Sequence, residues 1–127
     1  MTVLVVDDDK DARELVRLAL EECHASVVLA ASASEGFELL RRHRPHVILS
    51  DIGMPGEDGY QFIQRVRALA PAEGGDTPAA ALTAFARSED RRRALIAGYQ
   101  SHITKPVEPA ELVTVVASLG GKTGRPR

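Results

Sequence analysis

An α/β fold, with a parallel sheet covered by helices on both faces, is the architecture this sequence predicts, and three observations predict it. Five short runs, 2–6, 26–30, 46–50, 79–82 and 101–104, read as strands, and the clearest are apolar throughout. Strands buried on both faces read that way, whereas a half-solvated strand alternates. Each run is followed by a segment with apolar residues three and four apart, which is the face of an amphipathic helix. Strict alternation of the two kinds of segment, five times over, is the pattern of a parallel sheet with crossover helices. Finally, the polar residues gather at the carboxyl ends of the strand-like runs.

Thr2 to Val6 is β-branched and apolar, so it forms the first strand. Asp9 is placed to cap the helix that follows, whose expected inner face is Ala12, Leu15, Val16, Ala19 and Cys23. Ser26 to Ala30 is the second strand. "SASE", residues 32–35, fits a capping box, and Gly36, Phe37 and Leu40 continue on one face. "HVILS", residues 46–50, is the third strand and ends in an acid, Asp51. "GMPGEDG", residues 53–59, has the composition of a loop. Phe62, Ile63, Val66 and Leu69 mark the third helix, and "PAEGGDTP", residues 71–78, a polar connector. Ala79 to Leu82 is the fourth strand, ending at Thr83. Arg87 to Ala97 forms a charged helix, with Gly98 where a left-handed cap would stand. Ser101 to Thr104 is a short fifth strand. Pro109 fits the first turn of the last helix, whose face is Leu112, Val113, Val116 and Leu119.

Composition narrows the class. The chain has 127 residues, the size of one domain that buries its own core. It is 44% hydrophobic, 27% charged and 4% aromatic, with a net charge of −2. Such a balance gives no overall field toward nucleic acid or an anionic membrane. The only cysteine, Cys23, excludes an internal disulfide and is expected to be a small core residue. Acids follow the short apolar start at once, so no signal peptide is expected. No apolar run approaches the ~20 residues of a membrane span. A cytoplasmic location is the expectation. One domain over residues 1–119 is expected, then a flexible tail, "GGKTGRPR", over 120–127.

In an open parallel sheet, ligands bind beyond the carboxyl ends of the strands, near the point where strand order reverses. Asp7 and Asp8 end the first strand, Asp51 the third and Thr83 the fourth, and Lys105 follows the fifth. Two unit charges ~4 Å apart interact by roughly 4 kcal/mol at an effective dielectric near 20. Three clustered carboxylates therefore need a cation or a proton. A hard divalent ion with oxygen ligands meets that need, and Mg²⁺ favours few protein carboxylates, several waters and a phosphate oxygen. Lys105 supplies a movable point charge and Thr83 a hydroxyl donor.

The ordered pieces "VLVVDDD", "VILSDIGMPGEDGY", "ALTA" and "TKP" resemble the receiver domain of two-component response regulators, the family of the bacterial chemotaxis regulator. The resemblance covers residues 2–119. It implies a flavodoxin-like (βα)5 three-layer sandwich with strand order 2-1-3-4-5. It implies that Asp51 accepts a phosphoryl group from a histidine kinase or phosphotransfer domain, and that Mg²⁺, for which Mn²⁺ can substitute, is held by Asp7, Asp8, Asp51 and the backbone carbonyl of Gly53. Thr83, Ala84 and Lys105 would contact the phosphoryl group, and the peptide before Pro106 would be cis, aiming Lys105 inward. The protein would catalyse only its own phosphorylation and reset. It would signal to a downstream protein through the face made by the fourth helix, fifth strand and fifth helix, as a monomer or weak dimer, with no nucleic acid and no membrane insertion. "DIGMPGEDGY" and "TKPVEPAEL" look especially like receivers attached to hybrid histidine kinases.

Other readings stand beside these. Asp9 is expected to cap and not to ligate, and Asp58 to stabilise its loop. Glu57 is expected to face solvent. Receivers commonly carry Tyr or Phe three residues before the lysine; here His102 stands there, either as a half-exposed filler or as a weakened, pH-dependent switch. His24, His43 and His46 show no ligand spacing. Arg87, Arg91, Arg92 and Arg93 read as a solvated face, interrupted by Glu89 and Asp90, and Tyr60 and Tyr99 as packing or loop support. A Mg²⁺-dependent phosphatase of the haloacid-dehalogenase type would use Asp7 as nucleophile and Asp9 as acid–base partner, but the threonine usual two positions later is Asp11. A static scaffold that retains the shape without the chemistry is the remaining alternative.

Overall fold

The computed structural model describes residues 1–84 and 87–121. Ten elements alternate along the chain: β1 (Thr2–Val6), α1 (Lys10–Glu22), β2 (Ser26–Ala30), α2 (Ala33–His43), β3 (Val47–Asp51), α3 (Gly59–Arg67), β4 (Ala79–Thr83), α4 (Ser88–Ala97), β5 (Ser101–Thr104) and α5 (Pro109–Gly120). A 3₁₀ turn at Pro71–Glu73 interrupts the polar connector before β4. The strands form one parallel sheet in the order β2-β1-β3-β4-β5, the flavodoxin-like arrangement. The chain first steps from β1 outward to β2, then returns past β1 to β3 and continues to the other edge. Strand order therefore reverses between β1 and β3.

The two sheet faces bury separate cores, as alternation along each strand requires. Leu4, Val6, Ile48 and Ala81 pack with Leu40, Phe62, Ile63, Val66 and Tyr99 beneath α2, α3 and α4. Val3, Val5, Leu49, Leu82 and Ile103 pack with Val16, Leu20, Leu112 and Val116 beneath α1 and α5. Gly36 lets α2 lie on β1, because a Cβ there would come within 2.8 Å of Val6 Cγ2.

Three of the four capping signals read in the sequence hold. The Asp9 carboxylate accepts from Asp11 N and Ala12 N and so caps α1. Pro109 opens α5, and Gly98, at φ 132°, closes α4. Ser32 Oγ accepts from Glu35 N, but Glu35 reaches Ala31 N and not the Ser32 amide, so that box is displaced by one residue. The reciprocal capping box lies instead between Asp58 and Gln61 at the start of α3. Asp58 stabilises its loop by this means.

The inner face of α1 departs from expectation. Val16 and Leu20 are buried, Leu15 is 50% exposed and Cys23 is exposed, not a core residue. Leu15 lies about 100° around the helix from Val16, which places it off the stripe that meets the sheet. Cys23 follows the last helical residue, with φ −97° and ψ 17°, and leaves the stripe altogether. At the other terminus α5 includes Gly120, the first residue of the expected tail, and residues 122–127 of that tail lie outside the described residues.

Candidate functional site

Parallel register sets the site. Val6 pairs with Ala30 and Ser50, Asp51 with Leu82, and Thr83 with Thr104. Ladder bonds continue past the strand ends: Asp7 N donates to Ala30 O at 3.1 Å, Ile52 N to Leu82 O at 3.0 Å, and Lys105 N to Thr83 O at 2.7 Å. Asp7, Asp51, Thr83 and Lys105 therefore stand along one rim, with the two acids at the strand reversal.

Asp7 is completely buried. Its Oδ1 accepts from Asp9 N at 2.9 Å, and its Oδ2 accepts from Lys105 Nζ at 3.1 Å. Lys105 Nζ also lies 3.2 Å from Asp51 Oδ1, which accepts from Gly53 N at 3.4 Å. Asp8 points out of the core and is exposed. One carboxylate oxygen from each of Asp7, Asp8 and Asp51 falls within 4.8 Å of the others. Of the three consecutive acids, Asp7 and Asp8 join Asp51 in this cluster, while the Asp9 carboxylate caps α1. The Asp9 carboxylate, the acid–base candidate of the phosphatase alternative, is engaged by Asp11 N and Ala12 N at the start of α1.

Three carboxylates gather around one ammonium, so acidic groups outnumber basic ones in the cluster. Burial raises the Asp51 pKa and the neighbouring Asp7 raises it further, while Lys105 and the Gly53 amide only partly offset them. Burial alone would lower the Lys105 pKa, but its hydrogen bond to Asp7 and the charges of both acids outweigh that and raise it. An all-oxygen donor set with this excess charge fits a hard divalent cation.

Thr83 is buried at the end of β4 and Ala84 is exposed beside it. The Lys105–Pro106 peptide is cis. Gly59, the first residue of α3, packs so closely on β3 that a Cβ would overlap the Asp51 carbonyl. Tyr99, with its phenol pKa pushed up by burial, donates from its hydroxyl to Gly59 O at 2.7 Å, and the Arg93 guanidinium stacks on Tyr60 at 4.0 Å. Both tyrosines thus support the loop after Asp51 or the helix beside it. Glu57 is half-buried and pairs with Arg65, 2.6 Å away.

His102 is half-buried in β5, opposite Ala81 and three residues short of Lys105. It joins neither the acids nor Lys105. His46 is structural, its Nδ1 accepting from Thr2 N at 3.0 Å. Sequence reasoning missed Arg13, whose Nη1 donates to the Asp7 carbonyl at 2.7 Å. Nothing in the local pattern marks that contact.

A parallel α/β sheet with three aspartates and a lysine at its point of strand reversal defines a phosphoacceptor receiver module. Residues 3–117 match the family model described as the response regulator receiver domain, and the chain belongs to that family. It is 48% identical over 116 residues to an uncharacterised 14.6 kDa protein of Leptolyngbya boryana, covering 91% of this chain and 87% of that one. It is 38% identical over 120 residues to the response regulator Rre1 of Synechocystis, covering 94% of this chain but 51% of Rre1. This chain thus spans about half the length of that relative. A solved structure of a putative response regulator from Chloroflexus aurantiacus superposes with a TM-score of 0.89 at 31% identity, covering 95% of this chain and 98% of the other. Among the described residues, no helix is long and apolar enough to cross a membrane.

Proposed function

We propose that Asp51 is the phosphoacceptor and that the donor is the phosphohistidine of a histidine kinase or of a phosphotransfer domain. The observation that carries this reading is the position of Lys105 Nζ, 3.1 Å from Asp7 and 3.2 Å from Asp51. One cation bridges the two acids and is free to follow charge from the carboxylate to a phosphoryl oxygen.

Asp7, Asp8, Asp51 and the Gly53 carbonyl would hold Mg²⁺, or Mn²⁺ in its place. When bound, the ion neutralises the acids and the phosphoryl oxygens. The Asp51 carboxylate attacks phosphorus in line; the new O–P bond forms as the P–N bond to the donor imidazole breaks, and the electron pair leaves with the imidazole. Lys105, Thr83 and the backbone at Ala84 receive the phosphoryl oxygens. Water then hydrolyses the acyl phosphate and returns Asp51 to its carboxylate. The module catalyses only its own phosphorylation and dephosphorylation at Asp51.

Drawing Thr83 and Lys105 toward the phosphoryl group would shift α4, β5 and α5, the face offered to a downstream protein. His102 sits on β5, the one strand of that face. The setting is a cytoplasmic relay, with the module either standing alone or joined to a hybrid histidine kinase, as a monomer or weak dimer. No contact with nucleic acid or insertion into a membrane is part of this role.

Incubation with Mg²⁺ and acetyl phosphate, followed by intact-mass measurement, tests the proposal. Wild type is expected to gain the mass of one phosphoryl group and Asp51→Asn none. No gain by wild type, or an equal gain by the variant, would end it.

A further inference from the structure

We propose that Arg13 is a positioning residue for the divalent cation, acting through the main chain between Asp7 and Asp8. Of the three clustered acids, Asp7 is held by Asp9 N and Lys105 Nζ, and Asp51 by Lys105 Nζ and Gly53 N. The exposed Asp8 carboxylate has no hydrogen bond or ion pair among the described residues. Its place in the cluster is set by the backbone that carries it.

That backbone is clamped from α1. The Arg13 guanidinium donates to the Asp7 carbonyl at 2.7 Å, the carbonyl of the very peptide that leads into Asp8. Arg13 is half-buried, and its own N–H donates to Asp9 O at 3.0 Å in the first turn. Asp9, Asp11 and Glu14 all lie within four residues, yet among the described residues the guanidinium forms no ion pair and turns to a neutral carbonyl. A charge-assisted bond of this length holds its acceptor firmly. The turn after β1 is thereby locked by three contacts: Asp9 N on the Asp7 side chain, Asp9 capping α1, and Arg13 on the Asp7 carbonyl. The first two fix Asp7 and the helix. Arg13 fixes the peptide plane from which Asp8 departs. Groups that orient ligands without touching the metal raise affinity by sparing the ligand's reorganisation.

Charge and position predict opposite effects for removal of Arg13. Loss of a positive group beside a cation site, acting by charge alone, tightens cation binding. Loss of a clamp weakens it. The proposal rests on the receiver reading and its metal site, and the experiment separates the two. Mn²⁺ binding to the full chain is followed by loss of the free-ion electron paramagnetic resonance signal for wild type, Arg13→Ala, Arg13→Lys and Asp8→Asn, with thermal unfolding of the metal-free chains recorded alongside.

Arg13→Ala is expected to weaken Mn²⁺ binding about tenfold, the lower end for an outer partner of a metal site. Arg13→Lys keeps the charge but loses the planar fork, and is expected to fall between Arg13→Ala and wild type. If Arg13→Ala does not fold, Arg13→Lys alone carries the test by binding more weakly than wild type. Equal or tighter binding by folded Arg13 variants, with binding lost in Asp8→Asn, overturns the role of Arg13 and leaves the metal site standing. Absence of Mn²⁺ binding by wild type, or undiminished binding by Asp8→Asn, overturns the metal site and Arg13 with it.

Discussion

Asp7 and Asp51 end neighbouring strands and share one lysine, but their surroundings differ. Asp7 is fully buried, with one oxygen held by Asp9 N and the other by Lys105. Asp51 is 7% exposed, and both of its contacts, Lys105 and Gly53 N, fall on Oδ1. Among the described residues Oδ2 has no partner. The loops that follow differ in the same sense. The β1–α1 turn is only three residues long and is tied to its acid at 2.9 Å through Asp9 N, while the seven residues between Asp51 and α3 touch their acid at 3.4 Å through Gly53 N and are closed at the far end, through Gly59 to Ile52 and Tyr99. One acid is held at both oxygens, and the other at one.

The largest expected effect separates the two acids. Asp51→Asn should abolish phosphoryl incorporation from acetyl phosphate. Asp7→Asn should keep the acceptor but cut Mn²⁺ affinity at least about tenfold, read by electron paramagnetic resonance. Equal behaviour of the two variants in both assays would break the comparison.

Removing the shared cation comes next. Lys105→Met leaves Asp7 buried without its counter-charge. Breaking a wholly buried pair costs about 3–5 kcal/mol, and partial exposure of Lys105 reduces this to about 2 kcal/mol. Chemical denaturation without metal measures the loss, and Mg²⁺ is expected to narrow it by supplying charge to the same acids.

The pH dependence sharpens the contrast further. Burial and Asp7 raise the Asp51 pKa, so the folded state holds its proton more tightly than the unfolded chain does. The stabilising contribution of this group is full below the unfolded carboxylate pKa of about 4 and is lost as pH rises through the higher folded value. Metal-free Asp51→Asn should therefore be more stable than wild type at neutral pH, and the gap should close on acidification. A gap that is constant with pH would show that Asp51 carries no such strain. Lys105 has a raised pKa, so its contribution is full below its unfolded value of about 10.4 and persists through this whole window.

The smallest effects probe the two tethers. Asp9→Ala removes the cap of α1 and Tyr99→Phe removes the bond to Gly59 O. Each should cost about 1 kcal/mol in denaturant unfolding. Asp9→Ala should disturb Mn²⁺ binding more, because that tether adjoins two of the clustered acids.

Much of this was legible along the chain. Apolar runs such as 47–49 and 79–82 have no solvated face, so they read as central strands, and the acids, threonine and lysine that end them read as one rim. The inner stripe of α1 was not legible. Helical spacing admits Leu15 and Cys23 as readily as Leu20, and the choice falls to the sheet and α5 packed against that helix. Nor was the box at Asp58 and Gln61 recognised, although its spacing is that of a capping box. The role of His102 was open in the sequence, and its half-buried position apart from the acids leaves it out of the charge cluster.

By itself the sequence determined the alternation of elements, the cap at Asp9 and which polar residues end the strands, because propensity, periodicity and capping act over a few residues. Only the tertiary structure decided that Lys105 stands between Asp7 and Asp51, that Tyr99 reaches Gly59, and that Arg13 turns past its acidic neighbours to a carbonyl. Charge and hydrogen-bond energies depend on distances of a few ångströms between segments up to 98 residues apart, and those distances exist only once strand order and register are set.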